Sequence, residues 1–231
     1  MSSIAFRYEQ VLAKIAGACA RSGRSTDQVQ LIVITKNHPV DLVLELSDLG
    51  HRVFGENRDQ EAKPKAASFA QLRPQVGASW HFVGQLQTNK VKSVLSYASS
   101  IHSIDRDSLV AELSKVLTRN EQEVDGFIEL NLTGDPGRGG VLPEKLEELA
   151  QKVLDEPRIK LRGLMAVAGL GVDARSEFDR VFAIQEKFLS YSPESKYLSL
   201  GMSEDFEIAI EMGATHIRVG SAITGPRAYN A

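Results

Sequence analysis

A chain of 231 residues is long enough to build one domain with a substantial core. Its 42% hydrophobic and 25% charged residues are those of an ordinary soluble globular protein, and a net charge of −3 excludes a general electrostatic affinity for nucleic acid or anionic membrane. No apolar run approaches membrane-spanning length, residues 1–9 carry no signal core or arginine cluster, and the single Cys19 excludes an internal disulfide, so a reducing cytoplasm is the expected compartment.

In chain order, Ile4, Tyr8, Val11, Ile15 and Ala18 fall on one face of a helix reaching about Arg21, with Cys19 a small core residue beside them. Leu31-Ile32-Val33-Ile34-Thr35-Lys36 reads as a first buried strand, and Pro39 opens a helix that stops at Gly50. The apolar pair Val53-Phe54 is a second short strand. After it come the turn Gly55-Glu56-Asn57 and a polar helix to about residue 72. Trp80-His81-Phe82-Val83 is the third strand, with a helix over about 88–97, and Ile101 to Ile104 the fourth, followed by a helix marked by Leu109, Val110, Leu113, Val116 and Leu117. Phe127 to Leu132 is the fifth, then a glycine-rich loop over 134–140 and a helix over about 143–154. Leu161 to Ala168, Lys196 to Leu200 and His216 to Val219 supply the sixth to eighth strands, with helices over about 174–190 and 203–212 after the first two of these.

Strict alternation of strand and helix implies a parallel sheet. Eight units in about 230 residues imply an α/β fold made of one closed (β/α)8 TIM barrel over residues 1–231, with an extra helix at the front. An open doubly wound sheet is the alternative, but the first strand lacks the G-x-G-x-x-G turn of a dinucleotide-binding version.

In such a barrel the active site is built at the carboxyl ends of the strands. The residues found there are Lys36, Asn57, Gly84-Gln85, Ser103 with Asp105, Asn131, residues 166–168, Ser199 with Gly201, and Arg218 with Gly220. Lys36 closes the first strand. An amine held there, partly out of water, loses basicity and can add to carbonyls. Leu200-Gly201-Met202-Ser203 turns into a helix with Ser203 as its expected N-cap, and Val219-Gly220-Ser221-Ala222 starts a short one. Backbone N–H groups and small hydroxyls at two helix starts form a cup for phosphate, although Glu204 and Asp205 bring negative charge to the same turn. Arg218 interrupts an apolar strand and so needs an acceptor inside the barrel. His81, His102 and His216 lack metal-site spacing and are read as satisfied core residues. The loop 134–140 has no Gly-Lys-Ser/Thr ending and is read as a rim.

Taken together, Thr35-Lys36, Gly55-Glu56-Asn57, Trp80-His81-Phe82-Val83-Gly84, Leu86-Gln87-Thr88-Asn89-Lys90, Arg162-Gly163-Leu164-Met165, Leu200-Gly201-Met202-Ser203-Glu204-Asp205 and Ile217-Arg218-Val219-Gly220 occur in the order of a known set. From about residue 30 onward the chain resembles the pyridoxal phosphate homeostasis proteins, which look like the barrel domain of alanine racemase. The resemblance implies that Lys36 holds pyridoxal phosphate as a Schiff base. It also implies that Ser203, Gly220, Ser221 and the Met202 backbone cradle the phosphate, that Arg218 faces the pyridine nitrogen, and that Asn57 and Ser199 line the ring pocket. Asn37-His38, Arg58-Asp59, Gln85 and Thr224 depart from the commonest family pattern, all at the flanks of these motifs.

Carbanion chemistry on this cofactor uses the ring as an electron sink, which a protonated pyridine nitrogen strengthens. A permanently charged arginine beside that nitrogen opposes the protonation. Racemisation also needs a second acid/base on the opposite face. Tyr8, Tyr97, Tyr191, Tyr197 and Tyr229 all fall on helices, at a strand's start or in the tail. The expected function is therefore intracellular carriage and homeostasis of the cofactor with little or no catalysis, by a monomer whose partners are cofactor-dependent apo-enzymes. A low-rate racemase or lyase of the same cofactor is the alternative. A cofactor-free lysine aldolase ranks last, because the sixth strand carries no lysine at its carboxyl end.

Overall fold

The computed structural model describes residues 3–135, 137–169 and 171–225. Eight parallel strands close on themselves in sequence order: β1 (Gln30–Ile34), β2 (Val53–Glu56), β3 (Ser79–Phe82), β4 (Ala98–Ile104), β5 (Val124–Glu129), β6 (Ile159–Met165), β7 (Tyr197–Ser199) and β8 (His216–Val219), with β8 pairing back onto β1. The expected TIM barrel is the fold.

Helix α1 (Ile4–Arg21) precedes the barrel, capped by Ser3, whose hydroxyl accepts from Phe6 N–H. Around the barrel run α2 (Val40–Asp48), α3 (Asp59–Leu72), the short α4 (Val91–Val94), α5 (Asp107–Asn120), α6 (Leu146–Leu154), α7 (Ala174–Tyr191) and α8 (Phe206–Met212), and the single turn α9 (Ser221–Thr224) follows β8. Helix α1 is fastened to the last two units. Arg21 pairs with Glu207 and Glu211 of α8, and Arg7 Nε donates to the Ile223 carbonyl of α9 at 2.7 Å.

Alternation along each strand sorts the side chains, as a period of two requires. Leu31 and Val33 face outward into the shell of helix residues that includes Val11, Ile15, Leu42 and Leu46. Ile32 and Ile34 face inward, where Gly55 of β2 leaves room for both. The barrel lumen departs from the usual aliphatic filling. His102 stacks on Phe127 with ring centroids 4.3 Å apart, His216 packs edgewise against both, and His81 lies tilted against His102. Among the described residues no helix is long and apolar enough to cross a membrane, and no cluster of side chains could hold a metal ion.

The strand ends differ from the sequence reading by a few residues. The expected turn Gly55-Glu56-Asn57 is in part strand, because the Gly55 carbonyl accepts from Thr35 N–H and carries the β1–β2 ladder onward. At the fifth unit the strand stops at Glu129, and Leu130 instead bridges to Val141.

Candidate functional site

Lys36 follows β1 directly, in a turn whose geometry is fixed from below. Thr35 is fully buried. Its N–H donates to Gly55, its hydroxyl donates to Glu56 Oε1 at 2.6 Å, and its carbonyl accepts from Lys65 Nζ at 2.8 Å. Lys65 of α3 also pairs with Glu56 itself, a buried ion pair beneath the turn. Burial pushes the Glu56 carboxyl up, and Lys65 opposes that shift by attraction. One residue further on, Asn37 takes φ +62°, a left-handed conformation that asparagine tolerates, and its N–H donates to Glu61 at 2.9 Å. The residue carrying the amine is thus anchored on both sides.

Lys36 lines a pocket of about 530 Å3 at the carboxyl mouth of the barrel, together with Met202, Ser203, Arg218, Gly220 and Ser221. Six of the eight sequence-predicted site residues therefore share one cavity. The other two do not wall it. Ser199 is fully buried behind Arg218, and Asn57 sits on the β2 side with its Oδ1 buried and without a partner among the described residues. Asn57 is held there by Gly84, since a Cβ at residue 84 would lie 2.3 Å from the Asn57 carbonyl oxygen.

The expected N-cap at Ser203 is not formed. Helix α8 starts three residues later, at Phe206, because Asp205 Oδ1 accepts from Met202 N–H at 2.5 Å and closes the turn itself. Ser203 Oγ instead accepts from the N–H groups of Gly220 and Ala222, at 3.2 and 3.3 Å, and stitches the turn after β7 to the turn after β8. Met202 N–H is thereby taken, while the N–H groups of Ser203, Glu204 and Ser221 meet no acceptor among the described residues. Outward donors of this kind, with two small hydroxyls, suit a phosphate.

Arg218 is buried and fully directed. One terminal amino group donates to the Ser199 carbonyl at 2.6 Å and to Ser199 Oγ at 2.7 Å, and the other donates to the Ala166 carbonyl at 2.8 Å. Burial lowers its pKa to about 10, against the attraction of Glu129 and Asp205, so it stays charged at neutral pH.

Sequence reasoning missed Glu129. It shares the inward parity of Phe127, and burial together with the nearby Asp105 raises its carboxyl to about 7, while Arg218 and Arg138 pull the other way. The available signal was a lone carboxylate inside the run Phe127-Ile128-Glu129-Leu130. Asn131, expected in the mouth, organises the rim loop instead. Its amide donates to the carbonyls of Asp135 and Arg138, and its oxygen accepts from Thr133 and Gly134. His102 is satisfied as expected, bonding His81 through one ring nitrogen and Ser199 Oγ through the other, each at 2.9 Å. Tyr229 lies outside the described residues, and no tyrosine among the described residues lines the pocket.

The sequence model described as "Alanine racemase, N-terminal domain" matches residues 13–228. A protein from Vibrio cholerae called pyridoxal phosphate homeostasis protein is 35% identical, covering 100% of this chain and 99% of its own length. One of the same name from Aquifex aeolicus is 37% identical over 96% of this chain and 98% of its own. Among solved structures, PipY of Synechococcus elongatus with PLP bound superposes with a TM-score of 0.81 at 32% identity, covering 91% of this chain and 100% of that one.

Proposed function

The chain belongs to the alanine racemase N-terminal domain family, within which its full-length relatives are pyridoxal phosphate homeostasis proteins, and we propose that it binds pyridoxal phosphate through Lys36 and carries it for intracellular homeostasis with little or no catalysis. The whole barrel serves as one cofactor-binding domain. The observation that carries this reading is the convergence, in one pocket, of an anchored lysine, a buried arginine and a stitched pair of donor-rich turns. Pyridoxal phosphate is the cofactor that uses all three: an aldehyde for the amine, a ring nitrogen for the arginine, and a phosphate for the turns.

Bound there, the cofactor would supply an electron sink for carbanions. The chain's own residues restrain that sink. Arg218 holds its charge at neutral pH and has no lone pair to take a proton, so a ring nitrogen beside it stays unprotonated. Ser199 and the Ala166 carbonyl keep the guanidinium from turning away. Ser203 fixes the two phosphate-binding turns relative to each other, and the Thr35–Glu56–Lys65 network keeps the Lys36 backbone from shifting when the amine is loaded.

The test is borohydride reduction of protein incubated with pyridoxal phosphate, followed by mass spectrometry. The expected result is a pyridoxyl adduct on Lys36 and a visible absorption band that is lost in Lys36→Ala. Protein that stays colourless and unmodified refutes the proposal. Turnover of any amino acid above that of free cofactor would move the reading to a racemase or lyase.

A further inference from the structure

The barrel has a second mouth, and its cavity is the larger of the two. About 780 Å3 opens among the first residues of the strands, lined by Ser79, Ser100, Asp125 and His216, with His81 and Arg162 also on its wall. TIM barrels are ordinarily packed with side chains through this end. Nothing in the cofactor reading uses this space.

Three side chains there keep hydrogen-bonding capacity in reserve. Ser100 is 2% exposed, and its hydroxyl makes no hydrogen bond among the described residues. A buried hydroxyl left in that state is unfavourable unless something that enters the cavity satisfies it. Arg162 donates through Nε to Asp125 at 2.8 Å, and its terminal amino groups have no acceptor among the described residues. His81 uses Nδ1 on His102 and leaves Nε2 to the cavity.

The proton on that last nitrogen can be assigned. Arg218 only donates, so Ser199 Oγ accepts from it, and the one acceptor left for the Ser199 hydroxyl proton is His102 Nδ1. His102 then carries its proton on Nε2 and donates to His81 Nδ1, which places the His81 proton on Nε2, facing the cavity. Four side chains thus form one directional chain from Arg218 at the carboxyl mouth to an N–H donor at the amino mouth. Hydrogen bonds arranged head to tail polarise one another. On the rim, Arg24 already donates to the carbonyls of Gln28, Ile210 and Ala214, and Asp27 adds a carboxylate. Asp125 is paired, so the groups left to meet a ligand deeper in the cavity, at Ser100, Arg162 and His81, can all donate.

We propose that this cavity is a second small-molecule site that takes a compact oxyanion, a carboxylate or a phosphate group, on His81 Nε2–H, the Ser100 hydroxyl and Arg162, and that Arg218 registers its occupancy through His102 and Ser199. The groups that would hold the anion are not those of the carboxyl mouth, so the site stands whatever that mouth binds. Side-chain 15N NMR of the intact protein tests it, because His81 Nε2 faces the amino mouth while Arg218, at the other end of the chain, reports on the carboxyl mouth. His81 and His102 should both appear as Nε2–H tautomers. Sodium acetate and inorganic phosphate, titrated separately, decide between the carboxylate and the phosphate. One of them should move the His81 and His216 signals saturably, with the Arg218 guanidinium signal following.

Arg162→Gln should weaken that binding by about tenfold or more, the loss expected for one charge-assisted hydrogen bond. Ser100→Ala removes only a hydroxyl and should weaken it by less, which keeps the test valid if the arginine variant does not fold. Loading the protein with pyridoxal phosphate should leave the titration in place. An Nδ1–H tautomer at His81, signals unmoved by both anions, or equal binding in both variants would overturn the proposal. A stationary Arg218 signal beside a moving His81 would remove the coupling.

Discussion

At the scale of single residues, the site depends on charges kept where water does not reach them. The ion pair of Lys65 and Glu56 lies under the turn that carries Lys36, with both side chains almost wholly buried. Removing one partner of such a pair strands the other charge, which costs about 3–5 kcal/mol. Lys65→Met should therefore lower the unfolding free energy by that order, measured by urea titration, and Glu56→Gln combined with it should recover part of the loss. Glu129 gives a pH-dependent signature. Its native carboxyl holds its proton to about pH 7, above the ordinary 4.5 of the unfolded chain, so folding takes up a proton between those values. Its contribution is complete below pH 4.5 and is lost as pH rises through 7. Glu129→Gln should flatten the fall in melting temperature across that window.

At the scale of elements, close backbone approach decides what each strand can carry. A Cβ on Gly163 of β6 would sit 1.8 Å from the Tyr197 carbonyl oxygen of β7. Gly163→Ala must push two paired strands apart, and the expected cost is at the upper end for overpacking, about 3 kcal/mol, read from the denaturation midpoint. The turns after β7 and β8 act as one unit because Ser203 accepts from both Gly220 and Ala222. Ser203→Ala should leave the fold intact and weaken pyridoxal phosphate binding about fivefold, as loss of roughly one net hydrogen bond does. A calorimetric titration checks it.

For the whole molecule, buried histidines set the acid limit. His51 and His216 are pushed down to about 4 and His81 to about 3, chiefly by burial, and His102 well below its ordinary value for the same reason. All four are neutral when folded, yet each takes a proton near pH 6.5 once unfolded. The stability they confer is complete above pH 6.5 and is lost as pH falls, at about 1.4 kcal/mol per pH unit for each proton. The raised carboxylates Glu56 and Glu129 work in the opposite sense, but they are two against four. Melting temperature should thus peak near pH 6.5 and drop steeply toward pH 4.

How much of this was legible in the sequence follows from the range of each interaction. The eight strands, the closed barrel and the position of Lys36 at a strand's end are written in local periodicity and alternation, which depend on neighbours a few residues apart. So were Arg218, as a charge inside an apolar strand, and the small residues of the last two turns. What only the tertiary structure decided are pairings between residues far apart in the chain. Ser203 bonds the next loop instead of capping its own helix, since Asp205 closes that turn first. Ser199 lies behind Arg218, and Lys65 from a polar helix supports Thr35 thirty residues earlier. Glu129 and the His81–His102–Ser199 chain acquire their properties from a lumen that exists only once β8 closes on β1. Burial and hydrogen-bond partners belong to the closed barrel, and no local stretch of sequence contains them.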